Sequence, residues 1–146
     1  PNQWETGYPS KALIEHDIQN GNLYTIVDGD EIHGVFALIA GIEPTYSFID
    51  GTWLNDEPYA TIHRLASNGK TKGIFDTAAG YAKLLYENLR IDTHEDNKIM
   101  RHLIEKNKFQ FCGTIYIEKR FGGTEQDTQR RAYHWHRTQP LSIQYV

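Results

Sequence analysis

The chain has 146 residues, 39% hydrophobic and 23% charged, which fits one globular domain with its own core and excludes a disordered or low-complexity chain. A formal net charge of −4 and an isoelectric point near 6.0 exclude a general nucleic-acid binder, though not a local basic cradle for phosphates. Cys112, the single cysteine, excludes an internal disulfide and fits a reducing, cytoplasmic setting, and no apolar run reaches the roughly 20 residues of a membrane helix.

The chain opens at Pro1-Asn2-Gln3-Trp4 without methionine, which reads as a fragment, a processed chain or a renumbered one. From Lys11 to Gln19, Ala12, Leu13, Ile14 and Ile18 among charged neighbours predict a short helix, with Ser10 as its N-cap and Asn20-Gly21 as its stop. Leu23 to Val27 and Ile32 to Ala40 are β-rich runs around the turn residues Asp28-Gly29-Asp30-Glu31, a hairpin pattern. Gly41 to Pro44 breaks the run. Tyr46 to Ile49 reads as a short extended piece, followed by a loop around Gly51 and Pro58. Tyr59 to Ala66 reads as a strand.

Ser67 to Lys72 is polar and contains Gly69, and Gly73 follows. From Ile74 to Leu89 the apolar spacing of Ile74, Ala78, Tyr81, Ala82, Leu85 and Leu89 is helical. Leu89 to Thr93 reads as a strand. Asp96 or Asn97 caps a helix whose apolar face is Ile99, Met100, Leu103 and Ile104. Phe109 to Glu118 is a strand, Phe121 to Gln129 a glycine-containing loop, and Arg131 to Arg137 the returning strand. The order α-β-β-β-α-β-α-β-β predicts one domain over residues 1–146, an α/β (α+β) fold with a mixed central sheet and helices on both faces.

The strand, loop and helix from Tyr59 to Tyr86 carry the most information. A helix N-terminus offers unpaired N–H groups to an anion, and Lys70 and Lys72 add positive charge beside it. Equally, such a stretch is an ordinary strand-to-helix connection with solvated lysines. Gly69-Lys70-Thr71 is similar to the end of a Walker A loop, but Arg64 stands where that loop needs its first glycine. The Rossmann glycine pattern is absent.

Lys70-Thr71-Lys72-Gly73-Ile74-Phe75 resembles the Q/R-x-x-G-x-G/A loop of the GNAT family of N-acetyltransferases. Lys70 replaces the usual Gln or Arg. Phe75 replaces the usual Gly or Ala, and its side chain either crowds the diphosphate or turns away. Further segments resemble the family in order and spacing: Gln3-Trp4 with Gly7-Tyr8-Pro9, the I-x-G-x-x-x-L pattern of Ile32 to Leu38, Ile62 to Ala66, Arg90 to His94 followed by Asn97, and Lys106 to Gly113. The family's first strand and first helix have no counterpart ahead of Trp4. A second copy of the chain, another partner or a further segment is therefore expected to complete the sheet.

The resemblance implies acetyl transfer from acetyl-CoA to an amine, by direct attack in a ternary complex. The alternative it leaves is a catalytically silent acyl-CoA-binding or regulatory domain. It implies coenzyme contacts at Leu65, Ala66, Ser67, Lys70, Thr71, Lys72, Gly73 and Ile74, and at Asn97, which also reads as a helix cap. It places Asp92, five residues before Asn97, as the base that deprotonates the amine; Asp92 also reads as a strand-end carboxylate. His63 and His94 are alternative bases, because histidine titrates near neutral pH. The family's usual acid, a tyrosine seven residues after Asn97, is replaced by Ile104. Tyr133 or Tyr116 then stands as the acid, or solvent serves; both tyrosines also read as core or edge aromatics.

The acceptor pocket is expected from Trp4 to Pro9, Trp53 to Tyr59 and Phe121 to Arg131, with Tyr46, Trp53 and Tyr59 as aromatic walls and Glu43 or Glu57 recognising a cationic amine. His134 and His136 lie on one strand face, but two ligands without a supporting carboxylate or cysteine cluster make no metal site. Cys112 reads as a buried thiol.

Overall fold

In the computed structural model, which describes residues 11–117 and 128–138, the two periods of the sequence become three helices and a seven-stranded sheet. The elements are α1 (Lys11–Gln19), β1 (Leu23–Asp28), β2 (Glu31–Ala40), a 3-10 turn (Pro44–Tyr46), β3 (Asp50–Gly51), β4 (Ala60–Ser67), α2 (Ile74–Leu85), β5 (Asn88–Thr93), α3 (Lys98–Lys106), β6 (Gln110–Tyr116) and β7 (Gln129–His136). Ser10 and Glu118 lie outside the described residues.

Two expected elements differ. Where an extended piece was expected from Tyr46, the chain makes the 3-10 turn: Pro44 carries the fixed φ of a helical start, and the Glu43 side chain accepts a hydrogen bond from Thr45 N at 2.9 Å. The two-residue β3 then replaces the extended run. The helix expected to reach Leu89 ends at Leu85, because Tyr86 swings to φ −133°, ψ 146° and Asn88 enters β5, where Leu89 is fully buried.

The sheet order is β1-β2-β4-β5-β7-β6-β3. β4 and β5 are parallel and every other pair is antiparallel, which makes the sheet mixed. Alternation sends Leu89, Ile91 and Tyr133 to one face, where Ile74, Phe75, Ala78, Ala79 and Ala82 of α2 and Ile104 of α3 cover them together with Phe36, Leu38 and Ile62. Gly34 lets α2 come close: a Cβ there would stand 2.7 Å from the Ile74 side chain. A smaller cluster belongs to the other face: Tyr46, Tyr59 and Trp53 from the segment between β2 and β4 pack on Ile115 of β6 and Ala132 of β7. Among the described residues no helix is long and apolar enough to cross a membrane.

The parallel pairing of β4 and β5 is short. It holds Ala60 against Leu89 and Thr61 against Arg90 and goes no further, so among the described residues β4 runs on to Ser67 without a neighbour on its β5 side. Just past that point β4 is bulged. Val35 faces Ala66 and Ala37 faces His63, so Arg64 and Leu65 together oppose Phe36. Arg64 takes φ +49°, a left-handed conformation unfavourable for a side chain of that size. Its guanidinium is fixed by two hydrogen bonds to Asp17 of α1, at 2.6 and 2.7 Å, with the Asp17 side chain 1% exposed. Replacing Asp17 by Ala is expected to destabilise the protein by about 3–5 kcal/mol in denaturant unfolding, since a buried guanidinium loses its carboxylate; a loss within about 0.5 kcal/mol would show that the pair does not hold the bulge.

Candidate active site

The loop from β4 to α2 is shaped by one asparagine. Asn68 Oδ1 accepts hydrogen bonds from Lys70 N and Thr71 N, both at 2.9 Å, its Nδ2 donates to Thr71 Oγ1, and its own N–H bonds His33 O. Gly73 at φ +78° turns the chain into α2 and, lacking a side chain, leaves the helix start uncapped. The first N–H groups of α2 therefore face outward with Lys70 and Lys72 exposed beside them. Phe75 does not crowd this opening. Its side chain is 1% exposed and packs against Phe109 in the core, at 6.2 Å between ring centroids. Asp76 would repel an anion, but Lys106 and Asn107 draw its carboxylate aside and lower its pKa, Asn107 more strongly.

Leu65, Ala66 and Ser67 lie on the unpaired stretch of β4. β2 takes one side of it, pairing Ala66 with Val35 and Ser67 with Gly34. A ligand can pair with the open side as a strand would. Asn97 caps α3: its Oδ1 accepts from Met100 N at 3.1 Å, which leaves its amide nitrogen for a ligand.

The opposite face brings the expected bases together. The Asp92 carboxylate accepts a 2.6 Å hydrogen bond from the hydroxyl of Tyr46. Tyr46 is 2% exposed, and burial first and Asp92 second push its pKa well above the usual tyrosine value, so it stays a donor. His63 Nε2 stands 3.3 Å from Glu43 Oε1, each side chain about one-fifth exposed (20% and 22%). The His63 bond is the main reason that Glu43 titrates below its ordinary value, against the opposing effect of burial. Glu43 N donates to the Tyr59 hydroxyl at 2.8 Å. The carboxylate expected to recognise an amine is thus the partner of one expected base, and its neighbour Tyr46 holds the other. These contacts span up to 46 positions, and no local pattern in the sequence announces them.

Other expected residues have different work. Tyr133 is fully buried in the main core, and its hydroxyl donates to Glu105 at 3.0 Å and accepts from Arg131 Nε at 2.9 Å, so it is a packing residue with no open hydroxyl. Ile104 is fully buried in the same cluster. Tyr116 is exposed and packs on Phe48. His94 Nδ1 accepts from Asp96 N. Glu57 is exposed. His134 is fully buried; its Nδ1 accepts from Leu54 N, its Nε2 bonds Asn88 Oδ1, and burial lowers its pKa to about 4. His136 bonds the same Asn88 oxygen. Cys112 is half-buried, with its pKa raised by that burial. The aromatic pocket expected from Trp53 and Tyr59 is filled by the chain itself: the Arg90 guanidinium lies 4.0 Å from each ring centroid. Trp4 to Pro9 and residues 121–127 lie outside the described residues, while Gln129, Arg130 and Arg131 line a cleft with His94, Glu95 and Thr114.

No protein-family profile and no curated protein matches this sequence. Solved structures do. A GNAT-family acetyltransferase from Streptococcus agalactiae 2603 is 30% identical, with a TM-score of 0.79 over 94% of this chain and 78% of that one. A Bacillus subtilis acetyltransferase solved in complex with CoA is 19% identical, TM-score 0.62, over 88% of this chain and 85% of that one. A Salmonella typhimurium acetyl transferase that modifies the N-terminal serine of ribosomal protein L7/L12 is 18% identical, TM-score 0.60, over 91% of this chain and 76% of that one. The latter two share the fold; with the first, the likeness extends to sequence over nearly the whole chain, and the chain belongs to the GNAT family of acetyltransferases.

Proposed function

We propose that this chain moves the acetyl group of acetyl-CoA to an amine by direct attack in a ternary complex. The observation that carries the reading is the uncapped start of α2 beside the unpaired edge of β4. The N–H groups at Gly73 and Ile74, with Thr71 and the ammonium groups of Lys70 and Lys72, suit a diphosphate. The edge from Leu65 to Ser67 suits the amide groups of a pantetheine arm, and its N–H groups suit the developing oxyanion of the thioester carbonyl. The amide nitrogen of Asn97 adds a donor to the same arm.

On the other face His63 and Asp92 serve the amine. With Nε2 turned to Glu43, His63 keeps Nδ1 as the proton acceptor, and Glu43 stabilises the imidazolium that forms. The Tyr46 hydroxyl occupies one oxygen of Asp92, so the proton is assigned to His63, the residue type that titrates near neutral pH, and Asp92 steadies the cationic amine. The neutral amine attacks the carbonyl carbon, the carbon–sulfur bond breaks, and solvent protonates the thiolate, whose pKa near 8.5 needs little help. Among the described residues β1 pairs only with β2, and its open edge is where a second copy or a further segment would complete the sheet.

One observation favours the second reading, a coenzyme-binding domain without transfer activity: Ile104, where the family pattern has its acid, is apolar and fully buried. Thiol release with a panel of amines separates the two.

Calorimetry with acetyl-CoA is expected to show binding that weakens on the order of tenfold in the Lys70→Ala, Lys72→Ala double variant. Phe75→Ala is expected to keep that affinity while losing about 3–5 kcal/mol of stability. Unchanged affinity in the double variant would remove the diphosphate assignment. His63→Ala is expected to lower thiol release by about 10²–10⁴-fold with coenzyme affinity unchanged; full activity in that variant would exclude His63 as the base.

A further inference from the structure

We infer that Arg90 is a positioning residue for the acceptor side: its guanidinium, gripped between Trp53 and Tyr59, holds the Glu43–His63 and Tyr46–Asp92 pairs in place. Arg90 is 4% exposed, its Nη2 donates to Asn55 O at 2.9 Å, and among the described residues its Nε has no hydrogen-bond partner. Burial lowers its pKa. Thr61, its register partner on β4, likewise buries a hydroxyl without a partner. A buried cation with a donor left unpaired is a poor device for stability, and an apolar side chain of similar volume commonly does as well or better. What a flat guanidinium supplies here is two stacking faces and a forked donor at once. The faces fix Trp53 and Tyr59, at 4.0 Å each, and the donor fixes the chain between them.

The consequence runs outward through hydrogen bonds already described. Tyr59 anchors the backbone of Glu43. Glu43 caps the turn at Thr45 with one oxygen and meets His63 with the other. The turn carries Tyr46, whose hydroxyl reaches Asp92. Arg90 and Asp92 lie two residues apart on one face of β5, so the strand that carries the grip also carries a group it serves. Moving Tyr59 would displace both pairs together. The inference rests on the reading of His63 and Asp92 as the acceptor-side groups.

The test uses the full chain with Arg90→Met and Arg90→Lys. Carbon-13 NMR follows the Glu43 carboxyl, assigned with Glu43→Gln, alongside thermal unfolding, acetyl-CoA calorimetry and amine transfer. In Arg90→Met the Glu43 pKa is expected to rise toward its ordinary 4.5 as the His63 contact loosens. Thermal stability holds or increases, acetyl-CoA affinity stays within about twofold, and kcat for an accepted amine falls on the order of tenfold or more. Arg90→Lys, which keeps charge without flat faces, is expected to follow the methionine variant; should Arg90→Met fail to fold, the lysine variant carries the same titration. A Glu43 titration unchanged in the folded variants overturns the inference, and a loss of stability alongside an unchanged titration makes Arg90 merely structural. The titration needs neither coenzyme nor acceptor, so failure of the wild type to bind acetyl-CoA would overturn the coenzyme reading without deciding this one.

Discussion

The molecule depends on the parting of two parallel strands. β4 and β5 share a single short stretch, ending at Thr61 and Arg90, and then separate. Sheets do not open without cause, since every unpaired strand edge leaves backbone donors and acceptors to be satisfied elsewhere. Here the cause is built into β4. The extra residue opposite Phe36 bends the strand, and Arg64 is held in a left-handed conformation by Asp17. An ion pair that contributes doubtful stability as a mere buried pair acquires a purpose when it holds a strained backbone. Its effect is a strand with one side free, in a family whose co-substrate has a long arm rich in amides.

The opening also divides the chemistry. On the α2 side the groups at the gap are cationic or are N–H donors: a bare helix start and two lysines. On the other face they are carboxylates and phenols, Glu43 and Asp92 with Tyr46 and Tyr59. Under the proposed function a diphosphate would be drawn to the first set and an amine to the second, so the two reactants would meet at the gap without competing for one site. The segment between β2 and β4 that delivers the second set carries Glu43, Asp50, Asp56 and Glu57 and no lysine or arginine. The guanidinium that its Trp53 and Tyr59 rings enclose comes from β5, as Arg90.

Legibility in the sequence followed the range of the interactions. The hairpin around Asp28-Gly29, the strand–loop–helix around Gly73 and the cap at Asn97 are decided by neighbours a few residues apart, and each was readable to within a residue or two. Helix α2 was extended too far because Leu89 continues the apolar spacing; strand pairing with Trp135, invisible in a local window, captured it for β5. Tyr133 looked available as an acid because alternation tells which face a residue takes but not what covers that face, and here α3 does. The role of Arg90 left no trace, since its partners are aromatic rings more than thirty positions away and aromatic residues in a loop read equally well as a ligand pocket.

Phe75 shows how a departure from a family pattern is to be weighed. The pattern asks for a small residue where the helix starts, yet what a diphosphate uses there is a backbone N–H. A helical side chain leaves the axis in a direction fixed by its position in the turn. At position 75 that direction leads into the sheet: the side chain meets Phe109, on the face that Ala78, Ala79 and Ala82 continue. The large residue and the run of small ones are one packing solution. The alanines of α2 are fully buried against the sheet, and the phenylalanine fills the space beside Phe109. The departure therefore changes the core and leaves the helix mouth open. The same bulk at position 73 would meet a different constraint, since the chain there takes φ +78°, a conformation that a large side chain adopts only with strain.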